Sequence, residues 1–185
     1  ITLSRIFDAI ATYERTIVSG KSKFDRFISG EKDLFTDEEV LGLHLFRTKA
    51  RCVNCHFSPL FSDQQFHNLG MSYYGRKYED LGRYKISKDK ADVGSFKTAS
   101  LREVGRTAPY MHNGLIATLD EVIQMYDAGM PHPKPRKDQE NDPLFPTTDP
   151  LLQKLSLSKE ERAALKAFLL TLNSPFKREH IPQLP

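Results

Sequence analysis

The sequence predicts an all-α domain with long loops, and three observations carry that reading. Three capping boxes each open an amphipathic stretch. No run of residues alternates as a strand ladder would. The middle of the chain is rich in Gly, Ser, Asp, Lys and Tyr without sustained periodicity.

The elements follow in order. Ile6, Ile10, Tyr13 and Ile17 recur at helical spacing, with Gly20 as the expected stop. A short piece around Phe24, Phe27 and Ile28 comes next. Thr36-Asp37-Glu38-Glu39 is the first capping box, and Val40, Leu43 and Phe46 form the stripe of a helix expected to run into a cysteine motif. Residues 57–109 read as long loops with short helices, which need an organiser such as a large cofactor. Thr118-Leu119-Asp120-Glu121 is the second box, with Leu119, Val122, Ile123 and Tyr126 on one face. Residues 130–150 carry Pro131, Pro133, Pro135, Pro143, Pro146 and Pro150 and can form neither helix nor inner strand. Ser158-Lys159-Glu160-Glu161 is the third box. It opens a helix with Leu165, Phe168, Leu169 and Leu172 inward, ending near Asn173-Ser174-Pro175.

Composition bounds the function. The 185 residues are 39% hydrophobic and 28% charged, as in a soluble globular domain. A net charge of +3 is too mild to argue for nucleic acid or an anionic membrane. No stretch approaches the roughly 18 apolar residues of a membrane span. The chain opens on Ile1 and enters a helical pattern at once, so its natural beginning is expected upstream, and the lack of a leader says nothing about compartment.

Both cysteines lie in one motif, Cys52-Val53-Asn54-Cys55-His56, which is the haem c attachment signature. Two thiols three positions apart on a helical turn can each join a vinyl group of one porphyrin, and the adjacent imidazole then reaches the iron. Two rival readings stay open at this point. Cys52, Cys55, His56 and His67 could ligate zinc, although usual finger spacing is missing. A redox C-x-x-C would want a thioredoxin-like context. A capped helix before the motif, loops after it and a late terminal helix give the order of a class I cytochrome c. A second axial ligand is expected from Met71, Met111, Met125, Met130 or Tyr126, with His67 and His112 as more remote candidates. Helix phase points Tyr126 inward and puts Met125 at the edge of that face.

Further motifs carry a resemblance. Phe96-Lys97-Thr98-Ala99-Ser100-Leu101-Arg102, Thr107-Ala108-Pro109-Tyr110-Met111-His112-Asn113-Gly114 and Ala117-Thr118-Leu119 resemble the C-terminal half of bacterial di-haem cytochrome c peroxidases and MauG-type enzymes. Tyr13 to Gly20 and Phe24-Asp25-Arg26-Phe27 are similar to the linker region before the second haem of that family, and Phe66-His67-Asn68-Leu69-Gly70 fits the family as well.

The resemblance implies a class I cytochrome c-like haem domain over 36–175, a linker helix region over 1–35 that packs on an N-terminal haem domain, and a tail over 176–185. It implies one covalent haem c, relaying electrons from a small redox protein to a partner haem where hydrogen peroxide is reduced, and no catalytic residue in this half. The peroxidases place an axial methionine fourteen residues after the histidine matching His112; here that position is Tyr126, as in MauG-type proteins. Tyr126 is therefore the expected distal ligand beside His56, and Met125 its runner-up. Arg83, Lys97 and Arg102 are candidate partners of the haem propionates. Thr107 and Pro109 match positions whose backbone carbonyls bind calcium in the family. The chain departs from the family in having one haem motif and no tryptophan, which fits an absent peroxidatic half. A stand-alone mono-haem electron carrier is the alternative. Haem c attachment implies the periplasm.

Overall fold

The computed structural model describes residues 2–175. Six α-helices carry the fold: α1 (Leu3–Glu14), α2 (Lys23–Ile28), α3 (Asp37–Arg47), α4 (Tyr84–Ser87), α5 (Leu119–Asp127) and α6 (Lys159–Leu170). Two short strands, β1 (Phe66–Asn68) and β2 (Ser95–Lys97), pair antiparallel with His67 opposite Phe96. The fold is thus helix-rich with a small sheet, which corrects the strictly all-α expectation. Three-residue strands are too short for an alternating pattern to register. The tail over 176–185 lies outside the described residues.

All three expected capping boxes form. Thr36, Thr118 and Ser158 each accept from the backbone N–H three residues on, and Glu39, Glu121 and Glu161 reach back. Ser22 and Asp25 make a fourth at α2. Helix α3 packs along α6, and Gly42 makes that crossing possible: a Cβ there would collide with the Ala164 carbonyl and the Phe168 side chain. The buried face of α3 is Gly42, Leu45 and Phe46, so the stripe is rotated from the expected one and Val40 is exposed.

The main core gathers Phe35, Phe46, Phe61, Leu119, Ile123, Leu165, Phe168 and Leu172. Its centre is aromatic, with Phe61 at 5.2 Å from Phe24, 5.9 Å from Phe46 and 6.4 Å from Phe168 between ring centroids. The linker drawn over 1–35 is split. Phe24 and Phe27 pack on this core and Phe35 is part of it, whereas α1 buries no residue. Helix α1 also ends at Glu14, before the expected Gly20. The β-branched run Thr16-Ile17-Val18 disfavours its continuation.

Candidate haem-attachment site

Helix α3 stops at Arg47, and the cysteine motif opens a separate 3-10 turn over Cys52–Asn54. The motif therefore does not continue the helix as expected. Arg51 enters it in the left-handed region, at φ 56°, and the His56 N–H donates to the Cys52 carbonyl at 2.8 Å. The tight turn holds both sulfurs and the imidazole on one short segment.

His56 is half-buried, and its Nδ1 lies 2.8 Å from the Phe61 carbonyl. A carbonyl only accepts, so Nδ1 carries the proton and Nε2 keeps its lone pair. Burial also lowers the pKa of His56, outweighing the nearby charge of Asp63, so the ring is neutral as a metal ligand must be. Phe61 itself sits at φ 52°, strain of the kind that collects at functional loops.

Both cysteines are free and half-buried. Burial pushes the Cys52 thiol up to about 12. Burial, then the charges of Asp63 and Asp149, push Cys55 up to about 11. Redox-active C-x-x-C pairs depend on the opposite shift, so this environment argues against a thioredoxin-like role. The zinc tetrad is not assembled either. Cys55, Asp63 and His67 place ligand atoms within 4.8 Å of one another, but Cys52 and His56 do not join them. His67 is held by two carboxylates, with Nδ1 at 2.6 Å from Asp149 and Nε2 at 2.8 Å from Asp63.

A second apolar cluster contains every methionine of the chain. Met71, Met130 and Ile116 are buried, with Leu69, Met111, Val122, Met125, Tyr126 and Leu152 packed around them. Burial first, then the charges of Cys52 and Cys55, push the pKa of the Tyr126 phenol well up. Among the described residues nothing hydrogen-bonds the Tyr126 hydroxyl. Two thiols and an imidazole oriented through Nδ1 on one turn, with an apolar, sulfur-rich cluster that packs Tyr126, suit a covalently held porphyrin. Met125 shares the cluster one position away.

The remaining candidates differ in their surroundings. Arg102 donates to both Asp25 oxygens at 2.9 Å and to the Pro59 carbonyl at 2.9 Å, so its charge is already matched. Arg83 donates to Asp92 at 3.0 Å and lies over the Phe66 ring. Lys97 is exposed at the end of β2. Thr107 and Pro109 are exposed after the Val104–Arg106 turn, and the His112 ring stacks on Phe96 at 3.5 Å. Sequence reasoning missed the Asp63–His67–Asp149 group; only the spacing of Asp63 and His67 hinted at it.

Known proteins resemble this chain over most of its length. The family profile described as di-haem cytochrome c peroxidase matches residues 1–33. The cytochrome-c peroxidase IdrP2 of Denitromonas iodatirespirans is 35% identical over 98% of this chain and 52% of its own length. The methylamine utilization protein MauG of Methylorubrum extorquens is 34% identical over 96% of this chain and 46% of its own length. The chain belongs to the MauG-like di-haem cytochrome c peroxidase family. It spans about half the length of these relatives. A solved MauG-like protein associated with microbial copper homeostasis superposes with a TM-score of 0.78 at 32% identity, covering 95% of this chain and 58% of that one. The di-haem peroxidase BthA of Burkholderia thailandensis shares the fold, with a TM-score of 0.61 at 21% identity over 83% of this chain and 46% of that one. Among the described residues, no helix of this family member is long and apolar enough to cross a membrane.

Proposed function

We propose that this chain carries the electron-relay haem of a periplasmic di-haem peroxidase or MauG-like oxidase. The observation that carries the reading is the single C-x-x-C-H turn with His56 oriented by the Phe61 carbonyl, together with the methionine cluster that packs Tyr126. Cys52 and Cys55 would hold the porphyrin through thioethers, their S–H groups adding across its vinyl groups. His56 would ligate the iron through Nε2, with Tyr126 as the second ligand. Bound there, the haem passes single electrons. The chain's own residues exclude water from the plate through the methionine-lined cluster and fix the imidazole through Phe61.

Peroxide reduction needs two electrons and two protons for each pair of waters formed, and this reading assigns that chemistry to a partner haem. The exposed apolar face of α1, with Leu3, Phe7 and Ile10, supports packing against such a haem domain. An oxygen rather than sulfur distal ligand favours higher oxidation states of iron, which supports MauG-like oxidation of a protein substrate as a second reading. Calcium held by the backbone of Thr107 and Pro109 belongs to the same proposal.

The test is periplasmic maturation of the chain, followed by intact mass and a reduced pyridine-adduct spectrum. One covalent haem with negligible peroxide turnover, restored when the upstream haem domain is present, is expected. A colourless protein of unmodified mass would end this reading, and robust turnover by the chain alone would displace the active site.

A further inference from the structure

The Asp63–His67–Asp149 group lies beside Cys55 and has no part in attaching or ligating the haem. Its members come from three separate segments: the loop after the motif, β1, and the loop that precedes α6. Their side chains are 7%, 20% and 18% exposed respectively. Each carboxylate uses one oxygen for the chain and the other for the ring. Asp63 accepts from the Gln65 N–H at 2.8 Å, and Asp149 from the Leu151 N–H at 2.9 Å. The remaining oxygens face Nε2 and Nδ1 of His67 at 2.8 and 2.6 Å. Neither ring nitrogen can accept from a carboxylate, so both donate and the ring is a cation.

The group therefore sums to one negative charge, and it is mostly withdrawn from water. The ligand atoms of Asp63 and His67 lie within 4.8 Å of Cys55 Sγ. The field of both carboxylates is felt at that sulfur, whose thiol it raises. A partly buried charge at this range is poorly screened by salt.

We propose that Asp63, His67 and Asp149 are positioning residues that set the redox potential of the haem joined to Cys55. The proposal rests on the haem reading above. Net negative charge at the thioether edge stabilises the more positive, oxidised iron and so holds the potential down. The Asp149 N–H also donates to the Asn68 carbonyl at 2.9 Å, which ties the 146–152 loop to β1.

The experiment is a redox titration of matured holoprotein followed by its visible spectrum, at about pH 6 where a histidine with one remaining carboxylate stays protonated. Asp149→Asn removes one negative charge while keeping shape, and the midpoint is expected to rise. Asp149→Glu restores the charge and is expected to return the midpoint toward that of the parent. A merely structural role predicts the opposite sign, because a loosened site admits water, which favours the oxidised form. A midpoint that falls or stays fixed in Asp149→Asn protein with its haem attached overturns the proposal. Asp63→Asn, read the same way, covers the case in which the first variant does not fold. Parent protein that carries no haem would defeat the functional reading instead, so the two failures are distinct.

Discussion

His56 Nδ1 and the Phe61 carbonyl stand 2.8 Å apart, while the Phe61 ring packs among Phe24, Phe46 and Phe168. The orientation of the imidazole is thereby tied to the main core. Phe61→Ala is expected to cost about 3–5 kcal/mol, as emptying a buried aromatic site does. Denaturant unfolding measures the loss. Stability unchanged within about 1 kcal/mol would show that Phe61 does not bear on the core.

With Tyr126 as the distal ligand proposed above, Tyr126→Met exchanges an oxygen donor for a thioether. The haem potential is expected to rise, because methionine favours the reduced iron. Spectroelectrochemistry of the matured variant reads this directly. An unchanged potential and spectrum would transfer the distal role to Met125 or another ligand.

Stability should show a plateau bounded by His67 on one side and Asp63 on the other. Burial opposes the His67 charge, but its bonds to Asp149 and Asp63 outweigh that, and its pKa lies above the ordinary 6.5. Its contribution is complete below 6.5 and is lost as pH climbs through the raised value. For Asp63, burial is outweighed by the Gln65 N–H and by His67, and its pKa lies below 3.8. Its contribution is complete above 3.8 and is lost as pH falls through the lowered value. Thermal melts across pH should decline on the alkaline side in the parent and flatten there in His67→Gln. An identical alkaline decline in both proteins would remove His67 from the account.

Gly42→Ala tests the crossing of α3 and α6. The new methyl meets a backbone carbonyl and the Phe168 side chain, so the helices must separate. Loss of about 1–3 kcal/mol is expected despite alanine's better helix propensity. A gain in melting temperature would mean the crossing is looser than it stands here.

The helices were legible because each capping box is local. Thr36, Thr118 and Ser158 need only the residue three positions on. The box at Ser22 escaped because Asp25 stands where glutamate or glutamine is the usual signal. The break between α3 and the cysteine turn was hidden because Arg51, not a glycine, takes the left-handed conformation. Attachment residues were legible from spacing alone. The fate of Arg102 was not, since Asp25 lies 77 positions away. Nor was the clamp on His67, whose partner Asp149 is 82 positions distant. Charged side chains choose partners through tertiary approach, and no local periodicity encodes it.

Gathering every methionine of the chain into one cluster gives the site a chemical vulnerability. Peroxide turns a thioether into a polar sulfoxide, which an apolar wall cannot accommodate without swelling. Met111 and Met125 are half-buried and would be attacked before Met71 and Met130, which are 6% and 7% exposed. Oxidative wear on this protein should begin at the more open flank of that cluster, at Met125 beside Tyr126 and at Met111.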